Sequence, residues 1–127
     1  MMSKIYKILT HKEWEAANKL GHVKTDLDDK DGFIHCSTAK QLALTLRLYF
    51  KEEKSVIICE IETCDLDRSE YSFERVLSNK RPIQEFPHIY GKLNIEQISK
   101  TWKLEKEAFQ IPEDILLELE YEDDMPF

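Results

Sequence analysis

A chain of 127 residues, 42% hydrophobic and 34% charged, with three glycines and four prolines, has the size and composition of one globular domain. Collagen-like, low-complexity and disulfide-scaffold classes are excluded, and the longest apolar runs, about four residues as in Val56–Cys59, fall far short of the roughly 20 that cross a bilayer. The net charge of -7 is concentrated late: from Glu105 onward nine acids accompany one lysine, whereas residues 1–104 carry 17 basic and 16 acidic side chains. The acidic balance therefore describes the end of the chain and leaves the main body open to an anionic ligand.

Met1 to Lys7 holds two lysines and no apolar core of the signal-peptide kind, so a cytoplasmic protein is expected. Ile5 to Leu9 reads as a short strand. Thr10 and Glu13 form a Thr-x-x-Glu capping box, and Trp14, Ala17 and Leu20 then fall on one helical face that Gly21 can close. Asp26 to Asp31 reads as a solvated acidic loop; a calcium loop does not fit, because position 5 counted from Asp26 is Lys30. Gly32 opens the apolar pair Phe33-Ile34. A second box, Thr38 with Gln41, starts a helix with Leu42, Leu46 and Tyr49 inward. Val56 to Ile61 is the clearest strand, and Tyr71–Phe73, Phe86–Tyr90 and Ile98–Leu104 are weaker ones. Pro112, Glu113 and Asp114 resemble the first turn of a short helix with Ile115, Leu116 and Leu119 inward. One domain over residues 1–120 with an acidic tail over 121–127 is expected.

Three segments could carry chemistry. In Gly32 to Thr38 a strand hands over to a helix start, where unpaired amides can hold an anion, with His35, Ser37 and Thr38 on the rim. Simple capping by Thr38 beside a hydrogen-bonded histidine explains the same residues. Cys36 alternates away from His35 in a strand and is expected to pack in the core; with Cys59 and Cys64 it makes an odd, CxxC-free set, so reduced thiols are expected and no metal site. In Phe86 to Gly91, His88 and Tyr90 share a face on which a base could stack; an aromatic edge strand blunted by Pro87 accounts for the spacing equally well. Around it Arg75, Lys80, Arg81 and Lys92 face one acid, Glu85, making this the best anion-facing stretch.

The order Ile5-Tyr6-Lys7-Ile8, Trp14, Gly32-Phe33-Ile34-His35-Cys36-Ser37-Thr38 with Gln41, Phe73-Glu74, and Phe86-Pro87-His88-Ile89-Tyr90-Gly91 resembles the bacterial family called domain of unknown function 952, over about Ile5 to Trp102. That family is grouped by fold with the ADP-ribosyltransferases and is similar in motif order to the RNA 2′-phosphotransferases. The resemblance implies an α+β fold with a split mixed sheet, two helices in the N-terminal half and a short C-terminal helix, around an NAD-shaped cleft. It further implies His35, His88 and Glu74 as catalytic residues, and Tyr6, Lys7, His35, Ser37, Thr38, His88 and Tyr90 as cofactor contacts. The expected function is an NAD-binding transferase of ADP-ribosyl or 2′-phosphoryl type. The alternative is a module that binds a nucleotide or an RNA end without turnover, and neither a membrane nor double-stranded DNA is an expected partner.

Overall fold

The computed structural model describes residues 3–75, 85–105 and 115. Among the described residues six strands form two three-stranded sheets: β1 (Lys4–Leu9), β3 (Ser55–Glu62) and β6 (Ile98–Glu105) in the order β1-β3-β6, and β2 (Ile34–His35), β5 (Glu85–Ile89) and β4 (Tyr71–Arg75) in the order β2-β5-β4. Three helices, α1 (His11–Leu20), α2 (Asp26–Asp31) and α3 (Leu42–Tyr49), lie between β1 and β3 in sequence. The class is α+β, as expected, but every pairing among the described strands is antiparallel, which corrects the mixed sheet. The reason is the long excursion between β1 and β3. Leu9 lies opposite Ile57, so the chain leaves and re-enters the sheet at the same end and β3 runs back against β1.

Within the β1-β3-β6 sheet, β1 and the central β3 are buried on both faces, which is why β3 reads as a nearly unbroken apolar run, while the edge strand β6 is largely exposed. One face packs Ile5, Leu9, Ile57 and Ile61 against Ala17 of α1 and against Ile34 and Ile89 of the second sheet. The opposite face packs Tyr6, Ile8 and Ile58 against Leu42 and Leu46 of α3, and against Ile115. Ile115 is helical and buried; the rest of the expected short C-terminal helix and the acidic tail fall outside the described residues.

Both capping boxes form. Thr10 accepts from the Glu13 amide at 3.2 Å while the Glu13 carboxylate accepts from the Thr10 amide at 2.9 Å, and Gly21 closes α1 with φ +86°. The Thr38–Gln41 box caps a 3-10 turn, Ala39–Gln41, that leads directly into α3. Two side chains depart from their expected inward faces. Leu20, next to the closing glycine, is 53% exposed, and Tyr49 is 46% exposed. Each sits in the last turn of its helix, where the axis has carried its face past the sheet it covers.

The acidic stretch Asp26–Asp31 is a helix, a third one in this half of the chain and not a loop. Thr25 caps it by accepting from the Asp28 amide at 3.1 Å, Asp26, Asp28 and Asp29 favour the positive end of its dipole, and Gly32 ends it with φ +81°. Asp28, third in the helix, turns inward and meets Lys7 of β1. The ammonium lies 2.8 Å from Asp28 Oδ2 and donates to Oδ1 at 3.1 Å and to the His35 carbonyl at 2.9 Å. Both residues are 5% exposed, so this is a buried ion pair that pins α2 to the first sheet.

Burial by itself would raise the Asp28 carboxyl, but the His35 hydrogen bond and the Lys7 charge outweigh it and hold the group down to about 2 from an ordinary 3.8. Because the folded value lies below the unfolded one, the associated stability, on the order of 2 kcal/mol, is fully present above about pH 4 and is lost as pH falls through 2. Urea unfolding followed between pH 6 and pH 2 should show that slope, and Asp28→Asn should flatten it. Removing the carboxylate with Asp28→Ala strands a buried ammonium and should cost about 3 to 5 kcal/mol, whereas the double change Lys7→Met with Asp28→Leu should recover most of it. Additive losses in the double variant would contradict a coupled pair.

Candidate functional site

The second sheet places the histidines. Residues 34 and 35 pair with 89 and 88, and the Cys36 amide donates to the Pro87 carbonyl at 3.0 Å, continuing the same register. Pro87 has no N–H to return, so the ladder stops there and β2 is two residues long. This also places β5 at the centre of its sheet, flanked by β2 and β4, and corrects the reading of an edge strand blunted by Pro87.

With Cys36 opposite Pro87 as a hydrogen-bonded pair, His35 and His88 form the non-hydrogen-bonded pair next to it, in which side chains approach most closely. Their rings are 5.8 Å apart and edge-to-face. Strand alternation puts Phe33 and Tyr90 on the same face, and their rings complete an aromatic cluster: Phe33 stacks on His88 at 4.1 Å and lies 4.5 Å from His35 and 5.5 Å from Tyr90. Beyond β2, Tyr6 and Ser37 exchange backbone hydrogen bonds at 2.8 Å in each direction and tie β1 of the first sheet to the second.

Each imidazole has a carboxylate partner. His35 Nδ1 is 2.7 Å from Asp28 Oδ1 and Nε2 is 2.8 Å from Asp31 Oδ2, while its backbone amide also donates to Asp28 Oδ1 at 3.1 Å. His88 Nδ1 lies 3.4 Å from Glu74 Oε1. That same oxygen accepts from the Tyr90 hydroxyl and, at 2.9 Å, from Ser72. The Tyr90 and Ser72 hydrogen bonds hold the Glu74 carboxyl below its usual range, and the Glu74 carboxylate in turn pushes the Tyr90 phenol up.

A cleft of about 280 Å³ opens beside these groups, lined among others by His35, His88, Ser37, Thr45, Tyr49 and Asp31. His35 and His88, distant in sequence, therefore line one cavity. Glu74 reaches His88 across the β4–β5 pair, and Tyr90 is half exposed beside it. Tyr6 lies fully buried in the cleft floor, and Ser37 Oγ pairs with Thr45 Oγ1 at 2.8 Å. Lys7 also borders the cleft, but its ammonium is turned to Asp28. Thr38 is occupied by its capping box and is not brought to the cleft among the described residues. Of the basic stretch, Lys80 and Arg81 lie outside the described residues, Arg75 ends β4, and Lys92 does not line this cleft.

Cys36 is buried, and burial pushes its thiol up to about 12, so it is a packing residue and a poor nucleophile. Cys59 is likewise buried with its thiol pushed up to about 12, and all three cysteines are free. Sequence reasoning missed Asp28, Asp31, Phe33 and Thr45. The signal for the first was Lys7: a lysine inside an apolar strand demands a buried anion, and the nearest acidic cluster is Asp26 to Asp31. Phe33 was legible as the i−2 neighbour of His35 on an alternating strand.

Comparison with known proteins gives a family without an activity. No curated protein matches the chain. The crystal structure of protein CC0527 from Caulobacter crescentus is similar at a TM-score of 0.78 and 26% identity, covering 90% of this chain and 99% of that one. A crystal structure of a double mutant of CC0527 gives 0.77 at 25% identity with the same coverage, and its solution NMR structure gives 0.67 at 29%, covering 80% and 84%. The sequence profile of the family described as "Protein of unknown function (DUF952)" matches residues 8–101, from within β1 to within β6. The chain belongs to that family, DUF952.

Proposed function

We propose that the cleft binds the nicotinamide-ribose half of NAD or a related nucleotide and supports ADP-ribosyl or 2′-phosphoryl transfer, with the two sheets splayed in an ADP-ribosyltransferase-like split. The observation that carries this reading is the pairing of His35 with His88 on one strand face, walled by Phe33 and Tyr90 and flanked by the carboxylates Asp31 and Glu74. Aromatic rings suit a base or nicotinamide, imidazole and hydroxyl groups suit ribose oxygens, and carboxylates suit the positive charge that develops on the ribose as its glycosidic bond opens. A volume of about 280 Å³ is at the lower limit of ligand pockets, roughly 300 to 1,000 Å³, and so accommodates one nucleoside half and not a whole dinucleotide. In this reading His88, backed by Glu74 and Tyr90, forms one wall and His35, Ser37 and Tyr6 the other. A cytoplasmic setting, with its NAD and its reduced thiols, belongs to the same proposal.

A second reading has one observation in its favour. Both ring nitrogens of His35 are engaged by aspartates, which makes the ring a fixed recognition element, so the cleft would hold a nucleotide or an RNA end without turnover. Nicotinamide release from NAD separates the two.

Calorimetric titration with ADP-ribose should show binding to the wild type that weakens on His88→Ala by about 1 to 3 kcal/mol, the range for a lost charge-assisted contact, or roughly 5- to 150-fold in Kd. Unchanged affinity in both His35→Ala and His88→Ala would remove the cleft from consideration. Cys36→Ser should leave nicotinamide release within about twofold of wild type, since a thiol with so high a pKa does not attack at neutral pH. Selective loss of turnover in a folded Cys36→Ser protein would replace this reading with a thiol mechanism.

A further inference from the structure

We infer that Asp31 is the substrate-facing base of this site, held in place by a buried relay that runs Lys7, Asp28, His35, Asp31. The inference rests on the nucleotide reading above and adds to it a residue and a chemical role. The relay is continuous: Lys7 Nζ to Asp28 Oδ2 at 2.8 Å, Asp28 Oδ1 to His35 Nδ1 at 2.7 Å, His35 Nε2 to Asp31 Oδ2 at 2.8 Å. Exposure rises along it, from side chains 6% and 5% exposed at Lys7 and Asp28 to 24% at His35 and 36% at Asp31. Asp31 borders the cleft together with Leu27 of the same helix. It is thus the member of the relay that a ligand meets first, and His35, with both nitrogens committed to aspartates, acts on the ligand through it.

Helix architecture gives no reason for an acid at this position. Asp31 ends α2, where the dipole favours a cation, and the capping and charge preferences of the helix are already met by Thr25, Asp26 and Asp29 at the other end. What Asp31 gains there is the imidazole of His35, four residues on. One carboxylate oxygen faces the ring; the other remains to accept a proton or to face a cationic carbon.

The step assigned to it is transfer of the ribosyl group to an acceptor hydroxyl. The C1′–N bond of NAD breaks and its electron pair leaves with neutral nicotinamide. The acceptor oxygen forms a bond to the electron-poor C1′, and the acceptor's proton passes to the Asp31 carboxylate, from which it is released to solvent. With water as acceptor the products are nicotinamide, ADP-ribose and a proton. Glu74, behind His88 and outside the cleft lining, is left to hold that imidazole.

The test is nicotinamide release from NAD, with water as acceptor, by wild type, Asp31→Asn and Asp31→Glu, alongside ADP-ribose titration of each. Asp31→Asn keeps the shape and a hydrogen bond to His35 but removes the base, so kcat should fall by about 100-fold or more, the usual contribution of general-base catalysis, while the ADP-ribose Kd stays within about threefold. Asp31→Glu should recover a measurable part of kcat. Wild-type turnover in Asp31→Asn would overturn the assignment and leave the nucleotide site standing. Parallel loss of kcat and ADP-ribose affinity would make Asp31 a binding residue and would also overturn it. A wild type that binds ADP-ribose without releasing nicotinamide removes the base and keeps the binding module; one that does neither removes both.

Discussion

The positions of His35 and Asp31 in the cleft trace back to one buried ion pair. Lys7 projects from the middle of an apolar strand, and α2 is the element that brings it a carboxylate. Pairs of this kind contribute little net stability, because desolvating two charges offsets most of their attraction. Their effect on position is larger. Asp28 must sit within reach of the ammonium, and once there its other hydrogen bonds fix the His35 backbone and ring together. The orientation of α2, the tautomer available to His35 and the location of Asp31 at the cleft mouth are consequences of neutralising one lysine.

Local chemistry was readable from the sequence, and long-range chemistry was not. The Thr10 and Thr38 boxes, the closing role of Gly21, the β3 strand and the burial of Cys36 each depend on residues within a few positions, and each is found in the fold. The Asp26–Asp31 segment failed because composition was weighed against position: its aspartates look solvated in bulk, yet at the start of a helix they are favoured by the dipole. The central place of β5 was hidden because Pro87 argues for an edge. That argument fails when the neighbouring strand ends at the residue that would have needed the missing donor. The family resemblance brought the right segments together, and the residue-level geometry of Asp28 and Asp31 needed the fold.

The electrostatics of the cleft differ from what a basic stretch in the sequence suggests. The described lining carries the carboxylate of Asp31 beside two imidazoles, Glu74 stands behind His88 outside that lining, and the one lysine that borders the cleft is committed to Asp28. Such a lining favours a ligand with a neutral or cationic end inside and its phosphates outside. On the proposed nucleotide reading, selectivity there would come from aromatic stacking and directional hydrogen bonds and not from bulk positive charge.

The two-residue length of β2 has a consequence for how this protein acquires its site. A strand so short has almost no pairing energy of its own; Asp28 is a local partner seven residues away, but β5 on one side and Tyr6 just beyond its end come from distant parts of the chain. Contacts of that separation close late in folding, after the loop entropy between them has been overcome. A chain with β1, β3 and α1 in place but β2 unseated would thus hold a hydrophobic core and no cleft. On the proposed reading, ligand binding therefore depends on seating the strand of the described fold that is least able to hold itself.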